Sequence, residues 1–223
     1  ITDPLTGLRN RRFLEETIRE DTSAIQRELH DMRSGRRPPG EHAASMGIFM
    51  LDIDRFKKIN DLYGHEAGDA VLAEIAARLQ GMMRQSDTVV RWGGEEFLVL
   101  TRRSGPDDAF VLAERIRRHI EETAFPVGPG ATVRKTLSVG FCLYPFLSGG
   151  EDKLSWAQAV ALADTALYLA KHNGRNLAVG LQPGKRPFQG DGHELLADIP
   201  AAIAAGCLEV VSRRENLKIP SQP

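Results

Sequence analysis

The stretch Val89-Val90-Arg91-Trp92-Gly93-Gly94-Glu95-Glu96-Phe97-Leu98-Val99-Leu100 restricts the possible fold more than any other. Two β-prone runs flank Gly93-Gly94, and a tight hairpin turn needs positive φ, which glycine adopts at little cost. Glu95 and Glu96 stand at the mouth of that turn, where the missing glycine side chains let a ligand approach the backbone. Paired carboxylates at such a turn suit a hard divalent cation, and that cation suits phosphate chemistry.

A second acidic segment supplies the other half. Ser45-Met46-Gly47-Ile48-Phe49-Met50-Leu51 is an apolar run short enough for a buried strand. It ends in Asp52-Ile53-Asp54, followed by Arg55-Phe56-Lys57-Lys58-Ile59-Asn60-Asp61 and then Gly64-His65-Glu66-Ala67-Gly68-Asp69. Carboxylates at the end of a buried strand, beside the glycine turn, form a pair of walls between which a metal fits.

These segments resemble the GGDEF domain family, the catalytic domain of diguanylate cyclases, in the variant spelled Gly-Gly-Glu-Glu-Phe. Four more segments carry the likeness: Asp3-Pro4-Leu5-Thr6-Gly7-Leu8-Arg9-Asn10-Arg11-Arg12, Leu137-Ser138-Val139-Gly140, Ala163-Asp164-Thr165-Ala166-Leu167-Tyr168 and Ala170-Lys171-His172-Asn173-Gly174-Arg175-Asn176. The resemblance spans roughly residues 1–180, in order. It implies an α/β (α+β) domain with a central, mainly antiparallel sheet flanked by helices, like the palm of nucleotide cyclases and polymerases.

The resemblance also implies site residues. Asp52, Glu95 and the Ile53 carbonyl are expected to hold Mg²⁺ or Mn²⁺, with Glu96 a second carboxylate serving the metal or the 3′-hydroxyl proton. Asn60 and Asp69 match the guanine readers; Asp accepts from the N1–H and N2–H₂ edge, and Asn both donates and accepts. Both are also good helix caps, which is the competing use. Phe56 and Lys57 lie at an expected helix start, where backbone amides favour phosphate. Lys171 and Arg175 match the residues that reach the β and γ phosphates, Lys171 being grouped with Asp52, Glu95 and Glu96 as catalytic. A helix end rich in cations is the alternative for that pair. Arg84 and Asp87 occupy the Arg-x-x-Asp position of the family's product-inhibition site, with Arg115 its second arginine; an ion pair at a helix end is the alternative.

Composition narrows the rest. A 42% apolar fraction in 223 residues supports one core plus an extension. Net charge is −1, so no overall basic field marks a nucleic-acid binder. Cys142 and Cys207 are far apart and give neither a disulfide framework nor metal spacing, which favours a reducing, cytoplasmic setting. The apolar stretch 199–211 contains Pro200 and Glu209 and is too short to span a bilayer. No signal peptide is evident, and the chain starts at Ile1 with its first motif directly after. It is therefore expected to be part of a longer protein whose sensor or membrane anchor lies upstream. Gly184-Lys185-Arg186 lacks the surroundings of a phosphate loop.

Patterning predicts a helix from about Asn10, a loop over 31–44, helices over 67–84, 107–122 and 156–172, a strand over 133–144, and a short strand over 177–181. Two helices are expected across one face of the sheet. Residues 1–181 form the expected cyclase domain. Residues 182–223 form an extension of unassigned role, with one helix over 193–214. The expected activity joins two GTP into cyclic di-GMP with release of two pyrophosphates, in a homodimer carrying one GTP per subunit. A non-catalytic receptor for GTP or cyclic di-GMP is the alternative, and use of ATP is disfavoured by Asp69.

Overall fold

The computed structural model describes residues 1–36, 45–146 and 154–220. The chain opens with β1 (Arg9–Asn10) and α1 (Arg11–Arg33), then β2 (Met46–Ile53), α2 (Lys57–Tyr63) and α3 (His65–Met82). The hairpin follows as β3 (Thr88–Gly93) and β4 (Glu96–Arg102), then α4 (Pro106–Glu121), β5 (Ala124–Gly128) and β6 (Ala131–Arg134). The remainder is β7 (Leu137–Tyr144), α5 (Trp156–His172), β8 (Ala178–Pro183), α6 (Gly192–Ala197), α7 (Ile199–Ala204) and β9 (Leu208–Val211).

Seven strands form the main sheet in the order β1-β3-β4-β2-β7-β8-β9, and β5-β6 form a separate ribbon. β2 is central and antiparallel to both β4 and β7. Among the described residues only β1-β3 and β7-β8 pair in parallel. Every residue of β2 is buried, because it is covered on both faces. Met46, Ile48 and Met50 point to one core with α1 and α5; Phe49, Leu51 and Ile53 point to the other with α3 and α4. This period-2 split with no polar side explains the continuous apolar run. It also corrects the expectation of helices on one face: with both faces of β2 apolar, one covered face would leave Phe49 and Leu51 in water.

The predicted helices form close to their expected bounds. Asn10 caps α1, its side chain accepting from the Phe13 amide. On α3, Val71, Leu72, Ile75, Ala76 and Leu79 make the buried stripe. Each large aliphatic chain so buried contributes roughly 1.5–3 kcal/mol. Gly140 of β7 lets α5 pack close, since a Cβ there would collide with the backbone of Ala163 and Leu167.

Three boundaries differ from expectation. α1 runs on to Arg33, because nothing before Gly35 (φ 71°) breaks it; the rest of the predicted loop, 37–44, lies outside the described residues. The strand predicted over 133–144 is two: β6 pairs with β5, while Thr136 turns to bond Asp54 and β7 joins the main sheet. The helix predicted over 193–214 is broken. Asp198 caps α7 at Ala201, Pro200 fits only a first turn, Gly206 (φ 75°) ends it, and β9 pairs with β8. Among the described residues no helix is long and apolar enough to cross a membrane.

Candidate active site

The site lies where β2 ends. Asp52 faces Glu96 across the β2-β4 ladder and Ser138 across β2-β7. The true loop of the hairpin is Gly94-Glu95, closed by the Gly93–Glu96 pair, so Glu95 is in the turn and Glu96 opens β4. The Ile53 amide donates to the Glu95 carbonyl over 3.3 Å, tying the two acidic segments together. From the next layer Lys171, near the C-terminus of α5, brings its Nζ to 2.6 Å from Asp52 Oδ2. Burial pushes the Asp52 carboxyl up to about 6; the Lys171 hydrogen bond and charge oppose this, and Glu95 and Glu96 add to it.

The donor set is all oxygen: Asp52, Glu95 and the Ile53 carbonyl. That carbonyl already accepts from the Phe56 amide at 3.2 Å, and its second lone pair remains available. Among the described residues no group of three or more His, Cys, Asp or Glu is assembled for a metal. Two carboxylates and a carbonyl nevertheless fit Mg²⁺, which takes few protein ligands and keeps water and phosphate oxygens. A buried carboxylate whose ionisation is opposed by burial and by two neighbouring carboxylates is also a place that a dication would stabilise.

Asp54, two residues on, has a different task. Its carboxylate accepts from Thr136 Oγ1 and Ser138 Oγ at 2.6 Å each, and from the Asn176 amide at 2.9 Å. It is engaged by three protein donors and ties β2, β7 and the loop after α5 into one corner.

Asn60 lies inside α2 and Asp69 inside α3, so neither is an N-cap. Asn60 Oδ1 is buried with no hydrogen-bond partner, and Gly68 leaves the room it occupies, since a Cβ there would overlap that oxygen. Asp69, beside Gly68, is exposed. The Phe56 side chain is core, leaving only its backbone for a ligand, and its amide is already used by Ile53. Lys57, the first residue of α2, is exposed. Arg175 is exposed at φ 66°, its amide bonded to the Ala170 carbonyl at 3.0 Å.

Arg84 and Asp87 lie outside this group, at the far end of α3. The Asp87 carboxylate takes the Arg84 backbone amide at 3.0 Å, a turn cap and not an ion pair between the two side chains. Arg115 reaches the Met82 carbonyl at 3.4 Å, which places it beside that turn.

Pattern reading missed two supports. Arg91 Nη1 donates to both Asp3 carboxylate oxygens at 3.0 Å, while its Nε and Nη2 donate to the Gly94 carbonyl at 3.2 and 2.9 Å, pinning the turn to the N-terminal segment. Asp164 of α5 borders a cleft of about 320 Å³ with Glu96, Trp92 and Trp156, its carboxyl raised by burial and eased by Lys171. Both stood in quoted motifs, but only the fold shows what they face.

A palm-like sheet ending in a carboxylate cluster, with a glycine turn on one side and a lysine above, defines a nucleotide-cyclase type of domain. The chain belongs to the GGDEF family: the model described as "Diguanylate cyclase, GGDEF domain" matches residues 1–177. It is 43% identical over 137 residues to diguanylate cyclase A of Treponema denticola, covering 61% of this chain and 35% of that protein. Among solved structures it resembles diguanylate cyclase SiaD in complex with its activator SiaC from Pseudomonas aeruginosa. The TM-score there is 0.65 at 39% identity, over 81% of this chain and 61% of that one. It also resembles the active GGEEF domain of a diguanylate cyclase from Vibrio cholerae, with TM-score 0.59 at 32% identity, over 77% and 96%. The chain spans about a third of the length of the curated relatives it matches.

Proposed function

We propose that this chain is the catalytic domain of a diguanylate cyclase, residues 1–181 forming the cyclase and 182–223 an extension joined to its sheet. The observation that carries this reading is the convergence of Asp52, Glu95, Glu96 and Lys171 at the end of β2. The reaction joins two GTP molecules by attack of each ribose 3′-hydroxyl on the other's α-phosphate, with loss of two pyrophosphates.

Mg²⁺ or Mn²⁺ would be held by Asp52, Glu95 and the Ile53 carbonyl, where it supplies Lewis acidity for the hydroxyl and the leaving oxygen. The chain's own groups do the rest. Lys171 sits 2.6 Å from Asp52 and is placed to exchange that partner for a phosphate oxygen. Arg175 reaches the terminal phosphates, and Lys57 adds charge at the start of α2. Glu96 serves the metal or takes the hydroxyl proton. Asn60 and Asp69 read guanine: Asp69 is exposed to accept from the N1–H and N2–H₂ edge, and adenine leaves it unsatisfied.

One GTP per subunit makes the reaction dimeric, so two such domains meet face to face under control of an upstream sensor in the parent. Arg84, Asp87 and Arg115 form the site at which product inhibits. The direct experiment is product analysis by liquid chromatography and mass spectrometry with Mg²⁺ and GTP over a range of protein concentrations. Cyclic di-GMP with yield per enzyme rising with concentration is expected. GTP binding without product, even when dimerisation is forced by an upstream coiled coil, would mean a receptor.

A further inference from the structure

The loop 173–176 is unusual. Gly174, Arg175 and Asn176 have successive φ values of 105°, 66° and 47°, and two of them are not glycine. Such a run persists only where its surroundings over-determine it. One side of the grip lies within the family domain. The Asn176 amide donates to Asp54, its Nδ2 to Glu121 at 2.6 Å, and its Oδ1 accepts from Arg117 at 2.7 Å.

The other side comes from the extension, beyond the family match at residue 177. Asn173 Nδ2 donates to the Lys218 carbonyl at 3.0 Å, and its Oδ1 accepts from the Lys218 amide at 2.8 Å. The side-chain amide thus copies a strand pairing with the backbone of residue 218. The Arg214 guanidinium donates to the Asn173 carbonyl and lies over Gly174, where a Cβ would come within 3.1 Å of it. Arg213 pairs with Glu114 at 3.3 Å, and Glu114 pairs with Arg117, which holds Asn176. Leu217 and Ile219 pack on the α5-side core and anchor the segment between these contacts.

We propose that residues 212–218 form a strap that fixes the triphosphate-binding loop, with Asn173 and Arg214 as positioning residues for the β and γ phosphates. Asn173 lies two residues from both Lys171 and Arg175, so its immobilisation sets where those cations stand before the nucleotide arrives. Preorganisation of this kind lowers the ordering cost of binding. The inference rests on the assignment of Lys171 and Arg175 to phosphate, and it gives the extension a role in the same site.

The test compares binding of guanosine 5′-α,β-methylenetriphosphate and of GMP by calorimetry in Mg²⁺, on the full chain. The variants are Arg213→Ala/Arg214→Ala, both exposed, and Asn173→Ala as a second disruption from the loop side. Each should weaken the triphosphate about tenfold, equivalent to about 1.4 kcal/mol, and leave GMP within about twofold. A general loss of structure would weaken both ligands alike, and that result, or no change in either, overturns the strap. Lys171→Ala and Arg175→Ala separate the two levels. If they lose triphosphate selectivity and the strap variants keep it, the strap alone fails. If they keep it too, the phosphate assignment fails with it.

Discussion

Lys171 Nζ sits 2.6 Å from Asp52 Oδ2, yet Asp52 remains a poor acid to ionise, its carboxyl pushed up to about 6 by burial. The lysine offsets part of the desolvation, and Glu95 and Glu96 restore it. A carboxyl raised from 3.8 stabilises the fold fully below its unfolded value, and that contribution is lost as pH rises through about 6. In EDTA, Asp52→Asn is therefore expected to be more stable than wild type at pH 7.5, by about 1–3 kcal/mol or several degrees in melting temperature. The gap should close towards pH 4. Thermal melts at the two pH values check this; a variant no more stable at pH 7.5 defeats it. The same variant should lose cyclic di-GMP synthesis by at least about a hundredfold, for loss of charge stabilisation in the transition state.

Arg91 and Asp3 are each less than one-fifth exposed, and the guanidinium holds the Gly94 carbonyl as well. Arg91→Ala should cost about 1–3 kcal/mol in urea unfolding, since it leaves the Gly94 carbonyl without its donor and the Asp3 carboxylate with only Thr6. Arg91→Lys should recover little of this, because one ammonium cannot hold Asp3 and the Gly94 carbonyl at once as the three guanidinium nitrogens do. Full recovery by lysine would refute this two-sided grip.

Gly68→Ala adds a methyl where Asn60 Oδ1 sits. GTP affinity should fall on the order of tenfold, the loss of one or two hydrogen bonds, and preference for GTP over ATP should shrink. Asp69→Ala should act in the same direction. Unchanged affinity in Asp69→Ala, measured by calorimetry, would remove these residues from guanine reading.

Arg84→Ala should raise the inhibition constant for cyclic di-GMP by about tenfold or more, as expected for losing a charged hydrogen-bonding partner. Product per enzyme then climbs past the point at which wild type stops. The Asp87 cap on the Arg84 amide survives this change, because it uses backbone. An unaltered plateau means that the turn at the end of α3 does not inhibit.

Much of the fold was legible because its signals are local. The apolar run into Asp52 gave β2, the 3.6-residue stripe 71–79 gave α3, and Gly-Gly between β-prone runs gave the hairpin. Prediction failed where distant partners decide. Lys135-Thr136 looks like any pair inside a strand, and the bonds to Asp54, just past the end of β2, mark where the strand is interrupted. The 193–214 segment has helical composition, but β8 offers an open edge on which Leu208–Val211 gain a ladder. Arg102 of β4 pairs with Asp21 of α1 at 2.6 Å, across 81 positions, a contact that no short spacing announces.

The sequence alone determined which residues could do chemistry and in what order, because residue type and short spacing fix side-chain functionality and local turns. Only the tertiary structure decided which of the neighbours Asp52 and Asp54 meets Lys171 and which is consumed by Thr136, Ser138 and Asn176. Both are strand-end carboxylates two residues apart, identical to any pattern. Their separation comes from the pairing of β2 with β7 and from the packing of α5, contacts between residues more than eighty positions apart that no local preference encodes.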